Sequence, residues 1–183
     1  MDPAEFQTFL SSRRSVREYE AGGISVEEKD YILSAASKCP TAGNLEGWDV
    51  VIVSDEGQLE LLFDAAGGQH QITDSGCAFV VCANYVRSMS RYGERGILYA
   101  VQDATIAATY MMLAAHAIRL HSCWIGAFDE DSVRDALELP VHVRPVAILS
   151  VGVGVVPSSA PERMDAEEHA HYDVWEEQFS PSF

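Results

Sequence analysis

The stretch ILYAVQDATIAATYMMLAAHAIRL, residues 97–120, is the longest apolar run in the chain. It is rich in Ala, Met and Leu and apolar on nearly every face, whereas a helix lying on a protein surface needs a single apolar stripe. Gln102, Asp103, His116 and Arg119 interrupt it, which argues against a membrane span. Such a helix belongs at the centre of a large core or between subunits, and a chain of 183 residues has little material with which to surround it.

Outward from this helix, the chain reads as an α+β domain. WDVVIV (48–53) and AFVVCA (78–83) are short apolar strands separated by a helix over 57–66. HSCWIG (121–126) and RPVAILSVGV (144–153) are two more strands, with a helix from the cap Asp129 to about Leu137 between them. Such unbroken apolar strands place the sheet in the interior, covered by helices. Residues 3–12 read as a short helix with Asp2 as N-cap and Pro3 at its first position. A second helix begins at Ser25, where Ser25 and Glu28 form a capping box ahead of Tyr31, Ile32, Ala35 and Ala36, and Pro40 stops it. No repeat or Gly/Ser linker divides the chain, so 1–183 reads as one domain. Its last part, 157–183, is a Pro-rich acidic arm that carries Tyr172, Trp175 and Phe179 but no apolar periodicity, and is either disordered or ordered by another surface.

Twenty-eight acidic residues against twelve basic ones give a formal net charge of −16. That balance excludes general nucleic-acid binding and adhesion to an anionic membrane. MDPAEFQTFL has neither the basic start nor the apolar stretch of a signal peptide, so a cytoplasmic location is expected. Cys39, Cys77, Cys82 and Cys123 form no CxxC pair, and an odd separation turns Cys77 and Cys82 to opposite faces of a strand. Buried free thiols are expected, with no zinc site or disulfide. His169 and His171 have a metal-compatible spacing but no third ligand, and VGVGVV (151–156) is followed by Pro157 rather than by the helix a dinucleotide loop requires.

Within this acidic chain RRSVREY (13–19) gathers three basic residues in five positions. Arg13, Ser15 and Arg17 alternate, so an extended segment points two guanidinium forks and a hydroxyl the same way, an arrangement suited to a phosphate. The alternative is that these arginines pair with some of the many carboxylates. CPTAGNLEGW (39–48) follows the Pro40 helix stop with a turn whose backbone and Asn44 amide can meet the edge of a planar ring. In SCWIGAFDE (122–130) a strand ends at Gly126 and a helix cap follows, leaving backbone N–H groups free beside a glycine.

In this order and spacing the segments resemble the FMN-dependent nitroreductase family over nearly the whole chain. RRSVREY resembles that family's Arg-x-Ser-x-Arg/Lys-x-aromatic opening, and PTAGNLEGW its Pro-Ser-x-x-Asn-x-Gln-Pro-Trp loop. LAAHAIRLHSCWIGAFDEDSVRDALELP is similar to its central helix and flavin-facing strand, and PERMDAEEHAHYDVW to its C-terminal arm. The resemblance implies a central mixed or antiparallel sheet flanked by helices, in a homodimer whose C-terminal arms are exchanged. It implies FMN as cofactor, with Arg13, Arg14, Ser15 and Arg17 along its phosphate, ribityl and pyrimidine side. Pro40, Thr41, Ala42 and Asn44 would approach the ring from the other subunit, and Gly126, with Ile125, would set a backbone N–H near N5. Arg163 would reach the partner's phosphate site, and Gln71 is a further polar candidate for the ring.

The implied activity is oxidation of NAD(P)H and two-electron, ping-pong reduction of a small acceptor such as a nitroaromatic, a quinone or an enone. No catalytic side chain is required, because the cofactor carries the hydride, and no metal is expected. A flavin-binding protein for storage, sensing or delivery is the alternative. Glu46 and Gly47 depart from the family's Gln-Pro, and Arg119 and His121 stand where glycines are usual. NYVRSMSRYGERG (84–96) is short where larger members carry a helical excursion.

Overall fold

The computed structural model describes residues 2–175. Local capping chemistry sets the helix starts. Asp2 accepts from the Glu5 N–H at 2.8 Å while Glu5 accepts from the Asp2 N–H at 2.9 Å, opening α1, Pro3–Ser12. Ser25 and Glu28 make the same reciprocal pair ahead of α2, Val26–Ala36, whose Ile32 and Ala36 are fully buried. A short 3-10 turn, Ala42–Asn44, leads to β1, Trp48–Val53. Asp55 caps α3, Glu56–Ala65, and a single turn, α4, Gln71–Asp74, precedes β2, Ala78–Asn84. Asn84 caps α5, Tyr85–Tyr92, which packs on α6, Arg95–Ala117. β3, His121–Ile125, then α7, Glu130–Ala136, capped by Asp129, and β4, Val143–Gly152, complete the layers.

The strands form an antiparallel sheet in the order β1-β2-β4-β3. Val81 of β2 lies opposite Val50 on one side and Ala147 on the other, and every residue of β2 is buried. Strand parity divides the core: Phe79, Val81 and Ala83 pack with α2 and α6, and Ala78, Val80 and Cys82 with α3, α4 and α7. Cys77 and Cys82 fall in the two different clusters, as their odd spacing predicts. The β2–β4 register shifts at Val81/Cys82, where Pro145 is the partner of Cys82. Pro145 lies outside the part of β4 paired with β3, so its missing N–H interrupts no bond to that strand.

α6 meets the sheet and α2 through small side chains: Ala100, Ala104, Ala107, Ala108 and Ala115 are buried around Met111. Ile97, at the helix start, and Leu98 and Tyr110 are exposed, and so are Gln102, Thr105 and Thr109. The all-round apolar character thus resolves into an alanine face that fits a close crossing and an outward side that mixes apolar and polar side chains. Arg119, just past the helix, has φ 66°, the left-handed backbone for which glycine is usual and an arginine costs about 1 kcal/mol.

A strap, residues 13–20, closes the sheet edge. Ser15 bridges Ser122 in parallel, the Val16 N–H donates to the Ser122 carbonyl at 3.1 Å, and the Glu20 N–H donates to the Val153 carbonyl at 2.8 Å. The strap explains VGVGVV: a Cβ on Gly154 would stand 2.6 Å from the Glu18 carbonyl oxygen, so only glycine lets the two backbones cross. His121 accepts from the Gly154 N–H through Nδ1 at 3.1 Å, so this departure from the family pattern ties β3 to the strand end. Beyond it the arm runs exposed, with a 3-10 turn at Ala166–His169; Trp175 stacks on His171, while Phe179 lies outside the described residues.

Candidate functional site

The fully buried Val16 pins the strap, and chain alternation turns its neighbours Ser15 and Arg17 the other way. With Arg13 and Arg14 they line a cavity of about 670 Å³, whose far wall is the start of the arm, including Pro157, Ser159, Pro161 and Arg163. The Val155 N–H bonds to the Glu18 carbonyl at 2.9 Å and starts the arm beside the strap, so within one chain Arg163 borders the same cavity as the arginines of the strap.

Among the described residues two ion pairs form, Arg87–Asp49 at 2.7 Å and Arg144–Glu130, and none of Arg13, Arg14, Arg17 or Arg163 takes part. Arg14 Nη1 donates to the Ser11 and Arg13 carbonyls at the end of α1. Among the described residues, then, no carboxylate pairs with any of these four. Four guanidiniums around one cavity, in a chain with 28 acidic residues, suit an anion drawn from solution. The titratable neighbours stay neutral: burial pushes the Cys123 thiol up, against the opposing pull of Arg17 and Arg13, and burial raises the Tyr19 phenol while its oxygen bonds Ser150 Oγ at 3.0 Å.

Pro40, Thr41 and Ala42 border a second cavity, about 480 Å³, with Tyr99, Gln102, Asp103 and Ile106 of α6. Asp103 is 2% exposed, and a buried carboxylate needs donors. Its Oδ1 accepts from the Ala42 N–H at 2.9 Å and its Oδ2 from the Gly47 N–H at 3.0 Å, so one side chain ties both ends of the turn to α6. From outside, Arg87 donates to the Glu46 and Trp48 carbonyls at 2.9 and 2.8 Å and to Asp49. These contacts account for the glycine where the family has proline; nothing in the structure explains Glu46 in place of glutamine. Gly47 supplies an N–H that proline lacks, and a Cβ there would run into Ser88 Oγ; Glu46, at φ 49°, presents its carbonyl to Arg87. Sequence reading treated Asp103 as an interruption of an apolar helix. The signal it offered was a lone acid on a face otherwise made of alanine.

Gly126 borders a third, smaller cavity, about 160 Å³, with Val101, Phe128, Glu130 and Arg144. Val101 also borders the second cavity, which makes the two neighbours. A Cβ at Gly126 would meet nothing nearer than Trp124 Nε1 at 3.4 Å, so the fold itself does not demand glycine. Four residues of strand, about 13 Å, separate it from Ser122, the partner of Ser15.

Three expected residues line none of these cavities. Ile125 is 1% exposed and belongs to the core, leaving only its backbone for a ligand. Gln71 is buried and donates to Gln69 Oε1 at 2.9 Å, turned there by the α4 turn. Asn44 sits at φ 58° with its side chain in solvent.

The nitroreductase family model matches residues 10–74 and 63–153, spanning the strap, the Asp103-held turn, α6 and the sheet. The chain belongs to the nitroreductase family. It is 28% identical over 157 residues to the FMN reductase (NADPH) of Bacillus subtilis, covering 78% of this chain and 63% of that protein. To the oxygen-insensitive NADPH nitroreductase of Salmonella typhimurium it is 24% identical over 180 residues, 94% of this chain and 73% of the other. The structure of the NfrA1 nitroreductase from B. subtilis superimposes with a TM-score of 0.86 at 25% identity, over 93% of this chain and 74% of that one. Family membership makes the nitroreductase fold and an oxidoreductase activity properties of this chain.

Proposed function

We propose that this chain binds FMN and uses it to oxidise NAD(P)H and reduce a small acceptor of the nitroaromatic, quinone or enone type by a two-electron, ping-pong route. The observation that carries the reading is the cavity of Arg13, Arg14, Arg17 and Arg163, four guanidiniums with no carboxylate partner among the described residues. Its donor set fits a phosphate dianion. The names of the relatives support NAD(P)H as reductant and FMN as the flavin.

When bound, FMN supplies the hydride chemistry. The protein's part is to hold and bias it. Arg13, Arg17 and Arg163 neutralise the phosphate, Ser15 adds a hydroxyl, and the strap's pairing with β3 directs the ligand toward Gly126, whose uncrowded backbone permits close approach. The turn at Pro40–Ala42 lies in a different cavity from the arginines, so a complete site takes that turn from a second copy. The exposed Ile97, Leu98 and Tyr110 of α6, and α1, which buries no residue, supply apolar surface for such a homodimer. In this reading residues 1–183 are one domain.

Purified protein should be yellow with non-covalent FMN. Arg13→Ala with Arg17→Ala should weaken FMN binding by about 3 kcal/mol, since each charge-assisted hydrogen bond contributes roughly 1.5–3 kcal/mol. Titration of the FMN-free protein measures it, and unchanged affinity moves the phosphate elsewhere. Anaerobic NAD(P)H should bleach the bound flavin and an acceptor restore it; a flavin that NAD(P)H leaves oxidised points to storage or delivery instead.

A further inference from the structure

Beside the second cavity lies a basic cluster that the reading above does not use. Arg87, Arg91 and Arg95 recur every four residues from α5 into the start of α6. Arg87 is committed to the Glu46, Trp48 and Asp49 oxygens. Arg91 and Arg95 are exposed and form no ion pair among the described residues, although Glu94 lies between them in sequence. Each is held instead by an aromatic ring: the Arg91 guanidinium lies 5.6 Å from the centre of Tyr92, and that of Arg95 5.5 Å from the centre of Tyr99. The two rings meet edge to face at 4.9 Å, and Arg95 Nε donates to Tyr99 Oη at 2.9 Å.

This cluster joins the cavity at two points. Tyr99 lines it directly, and Gly43, the residue after Ala42, has its α-carbon so near that a Cβ there would stand 3.1 Å from Arg91 Nη1. Stacking over a ring restrains a guanidinium's stem while leaving the outer edge of its planar fork free for oxygen ligands. Two such forks at one cavity mouth, on a chain of net charge −16, favour a polyanion over a small neutral acceptor.

We propose that Arg91 and Arg95 bind phosphate groups of the nicotinamide dinucleotide while its nicotinamide ring enters the cavity beside Pro40, Thr41 and Ala42. The proposal rests on the reading of the chain as an NAD(P)H-fed flavoprotein. Tyr92 and Tyr99 set the forks at the rim, and the dinucleotide's phosphates supply the charge that no carboxylate among the described residues provides there.

NADP⁺ and NAD⁺, which cannot reduce the flavin, serve as probes in calorimetric titrations of the FMN-loaded protein. Arg91→Gln with Arg95→Gln should raise the NADP⁺ Kd about tenfold or more, as loss of two charge-assisted contacts requires. FMN content and melting temperature should match wild type, because both side chains are exposed. A loss confined to NADP⁺ places the forks on the 2′-phosphate, and an equal loss for NAD⁺ places them on the pyrophosphate; both support the proposal. An FMN-loaded variant whose Kd values stay within twofold of wild type overturns it and leaves the flavin reading standing. Absorbance before any nucleotide is added reports the flavin separately, and a protein that takes up no FMN overturns both.

Discussion

Asp103→Asn tests how the ring-side turn is held. The wild-type carboxylate offers one oxygen to the Ala42 N–H and the other to the Gly47 N–H, and the side chain is 2% exposed. Asparagine has a single acceptor oxygen, so its amide NH₂ must face one of these N–H groups and leave a buried donor unpaired. Each charge-assisted bond is worth roughly 1.5–3 kcal/mol and the orphaned donor costs roughly 1–3 kcal/mol more, partly offset because a buried charge is no longer desolvated. A net loss of about 2–3 kcal/mol follows. Urea unfolding of flavin-free protein, at one protein concentration, should show the midpoint lower by about 1 M at unchanged slope. A variant within about 0.5 kcal/mol of wild type, the range of ordinary surface substitutions, would refute the tie between α6 and the turn.

Two further outcomes are expected. Gly126→Val should leave the melting temperature of the flavin-free protein close to wild type, because a Cβ there has room, while lowering FMN occupancy or the rate of flavin reduction by NAD(P)H; wild-type values for both remove Gly126 from the site. His116, which bonds Ser12 Oγ at 2.8 Å and packs on Phe9, is held below the ordinary 6.5 first by burial, with Arg13 and His121 pushing the same way. The unfolded chain therefore takes up this proton at higher pH than the folded one, so the group's contribution to stability is present above about 6.5 and is lost as pH falls through the folded value. His116→Gln should flatten the dependence of melting temperature on pH between 7 and 5, and an unaltered slope refutes the assignment.

The elements legible in the sequence were those whose signals are local. Asp2, Ser25 with Glu28, and Asp129 mark helix starts within three residues of themselves, and the apolar runs of β1, β2 and β4 need no partner to be recognised. α5 is hidden in the sequence, since YVRSMSRY is mostly polar and its packing against α6 is a tertiary fact: a Cβ on Gly96 would lie 2.5 Å from the Met89 backbone nitrogen. Strand order was equally hidden, since β4 enters between β2 and β3 by contacts across dozens of residues. The same division holds at the site. Alternation exposed the Arg13, Ser15 and Arg17 cluster, whereas the role of Asp103 depends on backbone N–H groups more than fifty residues away, which no side-chain pattern encodes. Gln71 adds a second case: the sequence does not say which way a side chain turns, and its amide faces Gln69 Oε1.

The arginine cavity also has a kinetic consequence. An anion approaching this protein meets two fields of opposite sign: a diffuse repulsion from the net charge of −16 and, close in, the attraction of four clustered guanidiniums. The first acts over the whole surface, while the second takes over within the last ~10 Å, about one Debye length at 0.1 M salt. Added salt thins the diffuse field first, so modest ionic strength should quicken the encounter even as it loosens the bound complex. The acidic exterior then acts as a filter, turning anions away from faces that lack clustered guanidiniums.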